Sequence, residues 1–164
     1  MKKHFQYLKY LLRHKYFVFV AGLKVGAPIW RLIIHDWSKF LPTEWFAYVE
    51  AFYGDYGYKY KEENLIGKLK HSKVMADFDR AWLHHQHFNF HHFQSWILRE
   101  DSGKVKTLPM PDHFALELVS DWAGAGKAIT GKWEVKNWYF KNRDIIVLHD
   151  ETRKRVEELL GKYF

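Results

Sequence analysis

Cysteine is absent from the 164 residues, which removes disulfide scaffolds, cysteine-based zinc fingers, iron–sulfur clusters and thiol nucleophiles together. Long apolar runs are missing too. The most apolar stretch, Tyr16 to Leu23, is closed by Lys24 and falls short of the roughly 20 residues a membrane span needs. The start, Met1-Lys2-Lys3-His4-Phe5, is basic but no signal-peptide pattern follows, so a soluble, cytoplasmic protein with no membrane partner is expected. Repeats, low-complexity tracts and a clear linker are also lacking, and residues 1–164 read as a single domain.

What is present is a globular balance, 48% apolar and 27% charged, which excludes collagen-like and wholly disordered chains. Twenty-six Lys and Arg against 19 Asp and Glu leave +7, and that excess points to an anionic partner such as a nucleotide, a nucleic acid or a phosphorylated metabolite. Thirteen Phe, ten Tyr and eight Trp supply ample ring area for a core. Histidine numbers eleven, and His84, His85, His87, His91 and His92 fall within nine residues.

Helical periodicity dominates. Phe5, Leu8, Leu12, Phe19 and Leu23, with Leu11 and Val18 alongside, predict a helix over residues 3–25 that Gly26 and Pro28 end. A short second helix carries Trp30, Ile33, Ile34 and Trp37. Pro42 opens a third with Phe46, Val49 and Tyr53 on one stripe. Residues 54–64 read as a loop, Lys73 to His85 as a helix that Asn89 interrupts, and His91 to Leu98 as its resumption. After a second loop at 101–112, Asp112 is expected to cap a helix presenting Phe114, Leu118, Trp122 and Ala125. Gly131 then marks a turn, a short helix covers 133–140 and a last one carries Val156, Leu159 and Leu160. Only Ile145 to Leu148 suggests a strand, so the expected class is all-α.

Three features suggest chemistry. His35-Asp36 offers adjacent nitrogen and oxygen donors at the edge of a core. In the 84–92 cluster, His84 and His91, and His85 and His92, are seven apart. They share a face on an unbroken helix, whereas a break at Asn89 makes His85 end one helix and His91 begin the next. His14 shares an apolar face with Tyr7, Leu11 and Val18, and Asp121 one with Phe114, Leu118 and Ala125, Glu117 lying one turn earlier. A buried carboxylate needs a hydrogen bond, an ion pair or a metal. For His14 the alternatives are a satisfied core histidine and a ligand.

The order His14, His35-Asp36, Lys39, the histidine cluster and Asp121 resembles the HD-domain superfamily of metal-dependent phosphohydrolases. The strings His35-Asp36-Trp37-Ser38-Lys39-Phe40, Ala81-Trp82-Leu83-His84-His85, Asn89, His91-His92 and Met110-Pro111 before Glu117 and Asp121 are similar to those of small phage and bacterial proteins of unknown function (domain of unknown function 5662). The first resemblance implies a helical bundle around two divalent ions, Mn, Fe, Mg or Zn. His35, Asp36 and Asp121 would be the minimal ligands, His14 would complete one ion, and His85, His91 and His92 a second. Two cations about 3.5–4 Å apart clamp a phosphate and lower the pKa of a bridging water. Asp36 could bridge them, and Lys39 could neutralise charge on a phosphoryl oxygen. Glu44 and Glu117 could orient a ligand imidazole or accept a proton. Lys70, Lys73, Arg80 and Arg99 are available for further phosphates.

The expected function is therefore hydrolysis of a nucleotide or another phosphate ester, in the cytoplasm of a host if the chain is phage-encoded. A di-iron oxygenase on the same scaffold is the enzymatic alternative, since histidine-rich sites favour iron. The charge and the Tyr/Lys alternation at 56–61 support a nucleic-acid-binding module, and a protein merely stabilised by metal is the remaining option.

Overall fold

Helical spacing of apolar side chains becomes helix through most of the chain in the computed structural model, which describes residues 1–61 and 64–164. The helices are α1 (Lys2–Val25), α2 (Ile29–Ile34), α3 (Pro42–Tyr53), α4 (Leu65–Phe88), α5 (Asp112–Thr130), α6 (Val135–Asn142) and α7 (Asp150–Tyr163). Single 3₁₀ turns occupy Trp37–Phe40, Phe93–Trp96 and Arg143–Ile145. Two strands, β1 (Ile97–Arg99) and β2 (Val105–Thr107), pair antiparallel with Ile97 opposite Thr107. The architecture is thus mostly helical with one small hairpin. No helix among the described residues is long and apolar enough to cross a membrane.

Several local expectations need correction. The buried face of α1 is Tyr7, Leu11, His14, Val18, Ala21 and Val25, while Phe5, Leu12 and Leu23 are 70%, 53% and 50% exposed. Two apolar faces of one helix share the same period, so spacing alone does not choose the inner one. In α2 the buried residue is Leu32, and Trp30, Ile33 and Ile34 are exposed. Trp37 lies in the following 3₁₀ turn. Helix α4 begins at Leu65 rather than Lys73. Asn64 caps it, its Oδ1 accepting the Gly67 N–H at 2.8 Å, and Leu65, Ile66 and Leu69 are exposed, so no stripe announces this turn. Glu62 and Glu63 of the loop read at 54–64 lie outside the described residues.

The helix expected over His91 to Leu98 is instead a 3₁₀ turn running into β1. Its partner β2 comes from the segment read as a loop, and Ile145 to Leu148 forms no strand. Asp112 is the first helical residue of α5, after Pro111, and receives Arg155 at 2.6 Å. Gly131 ends α5 with φ 78°, a left-handed conformation that glycine adopts without a side-chain clash.

The chain forms two compact units, each from two segments: residues 1–12 with 36–88, and residues 13–35 with 89–164. In the first, α3 packs on α4 around a ring-rich core of Tyr7, Leu11, Tyr48, Val49, Ala51, Phe78 and Ala81. In the second, α5, α6 and α7 surround Leu118, Val119, Tyr139, Val156, Leu159 and Leu160. The later half of α1 crosses α5 at Gly124 in this unit. A β-carbon on Gly124 would stand 2.5 Å from both the backbone nitrogen and Cγ2 of Val18, so glycine sets how closely these backbones approach.

Candidate metal centre

In the unit of residues 13–35 and 89–164, three helices supply four buried polar side chains. His14 sits on the inner stripe of α1 one turn before Val18. His35 follows the end of α2, its carbonyl held by Lys15. Glu117 and Asp121 lie one turn apart on α5 and so share a face. His35 Nδ1 lies 3.0 Å from Glu117 Oε1. Its Nε2 lies 3.4 Å from Asp121 Oδ1 and 3.4 Å from His14 Nε2, and His14 Nε2 is 3.2 Å from Asp121 Oδ1.

This geometry has a protonation consequence. Burial would raise the Glu117 pKa, but hydrogen bonds from His35 and His91 and the charges of both hold it far below the carboxylate range. An ionised Glu117 accepts only, so His35 donates from Nδ1. The lone pair of a neutral His35 then lies at Nε2, opposite the Asp121 carboxylate. Burial likewise acts against the Asp121 charge, and bonds and charge from His14 and His35 overcome it and keep that group well below its ordinary pKa. A lone pair facing a carboxylate calls for a cation between them, either a proton on His35 or a metal ion.

The spacing fits a metal. The point equidistant from the three donor atoms in their plane is about 1.9 Å from each. That distance is close to the bonds of about 2.0–2.2 Å that zinc makes to nitrogen and oxygen, so these three donors would hold such an ion. Glu117 behind His35 is the carboxylate–imidazole support typical of metal-binding histidines. His35, His91 and Glu117 offer a second set of ligand atoms within 4.8 Å of one another. Glu117 Oε1 also receives His91 Nδ1 at 3.2 Å, and Oε2 receives Arg31 Nε at 2.6 Å. The Arg31 guanidinium stands 4.0 Å from the Phe114 ring centre. His92 is buried, with its ring 4.3 Å from that of His91.

The unit of residues 1–12 and 36–88 repeats the construction on a smaller scale. Asp36, the residue after His35, is fully buried and the only non-glycine with positive φ among the described residues, at 57°. Such a left-handed residue costs free energy and is found at functional sites. Asp36 Oδ2 binds Lys39 at 2.5 Å, and Oδ1 lies 3.2 Å from His85 Nε2. His85 Nδ1 is 2.8 Å from Glu44 Oε2 and 3.2 Å from Ser38 Oγ, and Glu44 Oε1 meets His84 at 2.8 Å. Burial opposes the Glu44 charge, but the bonds from His85 and His84 and the charge of His85 win and lower its pKa.

The structure thus brings His14, His35 and Asp121 together, joins His91 to His35 through Glu117, and pairs His85 with Asp36, which Lys39 also binds. The other histidines of the cluster, His84 and His87, are exposed, as are Lys70, Lys73, Arg80 and Arg99. Sequence reasoning missed Arg31, Lys15 and Ser38. Arg31 alone left a signal, a cation inside the apolar run Ile29 to Ile34.

No curated protein and no solved structure matches this chain. The model of a family of unknown function, DUF5662, matches residues 3–162, nearly the whole sequence, and the chain belongs to that family.

Proposed function

We propose that the protein is a metal-dependent phosphohydrolase on an HD-type helical scaffold, acting on a nucleotide or another phosphate ester in the cytoplasm. The observation that carries the reading is the donor triangle of His14, His35 and Asp121, with Glu117 fixing the His35 tautomer. Its atoms come from two nitrogens and one oxygen, a set suited to manganese, iron or zinc. Asp36 and His85, supported by Glu44 in the same way, are the donors we assign to a second ion.

A divalent ion held there supplies a Lewis acid for the phosphoryl oxygens and makes hydroxide available near neutral pH. The chain's residues position what reacts. Glu117, saturated by His35, His91 and Arg31, is an orienting carboxylate and is too weakly basic to take a proton at neutral pH. Lys39 holds Asp36 and brings positive charge to the phosphate. In the net reaction water oxygen bonds to phosphorus, the ester P–O bond breaks, and the alcohol leaves with a proton.

The test is metal content and phosphate release together. Protein purified without chelator is expected to hold a transition metal and to release phosphate from esters with manganese or iron. Asp121→Ala should lose both while staying helical by circular dichroism. A chain that binds no divalent ion, or binds it and turns over no ester, overturns the proposal. The nitrogen-rich donors also support a second reading, a di-iron oxygenase, and oxygen uptake by the iron-loaded protein without phosphate release would establish it.

A further inference from the structure

The unit of residues 1–12 and 36–88 contains a pocket of about 390 Å³ walled by Tyr7, Tyr48, Phe52, Tyr58, Phe78 and Trp82. The volume is within the range of small-molecule sites. Rings that only filled a core would close on one another, yet these border open space while keeping mutual contacts, with Tyr48 5.1 Å from Phe78 and Phe52 5.1 Å from Tyr58.

Polar features give the pocket direction. Tyr7 is 1% exposed and its hydroxyl has no hydrogen-bond partner among the described residues, a state that buried hydroxyls rarely keep unless a ligand or water completes them. Lys39 forms part of the wall and binds Asp36 at 2.5 Å. Trp82 stacks on His85, with ring centres 5.6 Å apart and planes at 18°, and His85 Nε2 is 3.2 Å from Asp36 Oδ1. Through Lys39 and Trp82 the pocket wall is thus joined to the buried Asp36–His85 pair. Asp79, an exposed carboxylate, also lines it and repels an anion, so the anionic end of a ligand belongs beside Lys39.

We infer that this pocket receives the planar aromatic part of the substrate, which makes the substrate a nucleoside or aryl phosphate rather than a sugar or lipid phosphate. The phosphate half of this inference rests on the phosphohydrolase reading, and the aromatic half on the pocket alone. Ring faces hold a flat heteroaromatic group by stacking, without needing a particular base. The Tyr7 hydroxyl donates to a ring nitrogen or carbonyl. Burial, and after it the charges of Asp36 and Glu44, raise its pKa and keep it protonated. Such a pocket gains nothing from a bare sugar phosphate.

The experiment is calorimetric titration of the full chain in EDTA with adenosine, adenosine 5′-monophosphate, phenyl phosphate and ribose 5-phosphate. The two aromatic esters should bind about 10-fold or more tightly than ribose 5-phosphate, and adenosine should retain binding. Tyr58→Ala, at a residue 55% exposed and therefore cheap for the fold, should weaken every aromatic probe about 10-fold and leave ribose 5-phosphate unchanged. Tyr7→Phe should weaken adenosine and its monophosphate, spare phenyl phosphate, and raise Tm by removing an unpartnered buried hydroxyl. Equal binding of ribose 5-phosphate and adenosine 5′-monophosphate, no binding of any aromatic probe, or indifference of adenosine to both substitutions overturns the inference. Adenosine binding without turnover of any ester would sustain the pocket and remove the hydrolase. Release of phosphate from ribose 5-phosphate as fast as from the nucleotide would do the reverse.

Discussion

Replacing Glu117 by Gln tests the tautomer argument at its source. The side chain is 2% exposed and holds His35 at 3.0 Å, His91 at 3.2 Å and Arg31 at 2.6 Å, with Arg31 itself only 12% exposed. The amide keeps the shape but removes the charge, and its NH₂ meets donors whichever way it is turned. Removing one partner of a buried ion pair costs about 3–5 kcal/mol. For a chain of this size each kcal/mol moves Tm by about 2–4 °C, so Tm of the metal-free variant should fall by about 6–20 °C. The second effect concerns affinity. With the amide oxygen kept for Arg31 and the NH₂ turned to His35 and His91, Nδ1–H has no acceptor, His35 is no longer held with its Nε2 lone pair toward Asp121, and manganese or zinc should bind about 10- to 100-fold more weakly. Melting followed by circular dichroism in EDTA reads the first, and calorimetric metal titration reads the second. A variant that loses less than about 1 kcal/mol and binds metal like wild type would refute the account, because Glu117 would then be neither anchor nor support.

Asp121→Asn should abolish metal binding and lower the Tm of the metal-free protein, since it removes the bonds and charge from His14 and His35 that hold Asp121 well below its ordinary pKa; an unchanged or raised Tm in EDTA would show that the two histidines turn lone pairs toward the carboxylate instead. Gly124→Ala gains helix propensity of about 1 kcal/mol but forces a methyl to 2.5 Å from the Val18 backbone, so a net loss of about 1–3 kcal/mol is expected in denaturant melts, and an increase in stability would show that α1 and α5 slide freely. Glu44→Gln should weaken the His85–Asp36 arrangement and cost about 3–5 kcal/mol, read by the same melts, with unchanged stability counting against it. Tyr7, Tyr53, Tyr58 and Tyr139 have pKa values raised by burial first, with nearby carboxylates adding to the effect at Tyr7, Tyr58 and Tyr139. Their neutral forms favour the fold, so that stability is complete below about pH 10, the unfolded tyrosine value, and is lost as pH rises above it. Tyrosinate absorbance should accordingly show a late phase that merges with unfolding, whereas all ten tyrosines titrating near pH 10 in a folded chain would contradict this.

Much of the centre could be read before folding because it obeys helical periodicity. His14 recurs with Tyr7, Leu11 and Val18, and Asp121 with Glu117 and Leu118, so their burial follows from the stripes that contain them. The break at Asn89 was equally legible. What escaped lies where periodicity carries no information. The turn that buries His91 and His92 depends on a hairpin whose strands are three residues each, too short to show alternation. Arg31 reads as a surface cation inside an apolar run, and only the Phe114 ring and the Glu117 carboxylate reveal that it is held inward. The left-handed Asp36 is invisible because Asp tolerates that conformation without a sequence mark. For α1 the side chains Phe5, Leu12 and Leu23 suggest the wrong face, since the inner face of Tyr7, Leu11, His14, Val18, Ala21 and Val25 repeats with the same period.

The contact between Gly124 and Val18 lies one turn from both Asp121 and His14. Donors mounted on backbones that already touch cannot move apart or together by tenths of an ångström in response to what they bind, as donors on mobile loops do. The site should therefore discriminate by ionic radius. Calcium, which seeks oxygen-rich shells at 2.3–2.6 Å, is too large for a triangle whose equidistant point is about 1.9 Å from its corners, whereas the shorter bonds of zinc, iron and manganese would suit it. Adding calcium in large excess should leave a bound transition metal in place, a selectivity enforced by one missing methyl group rather than by the chemistry of the ligands.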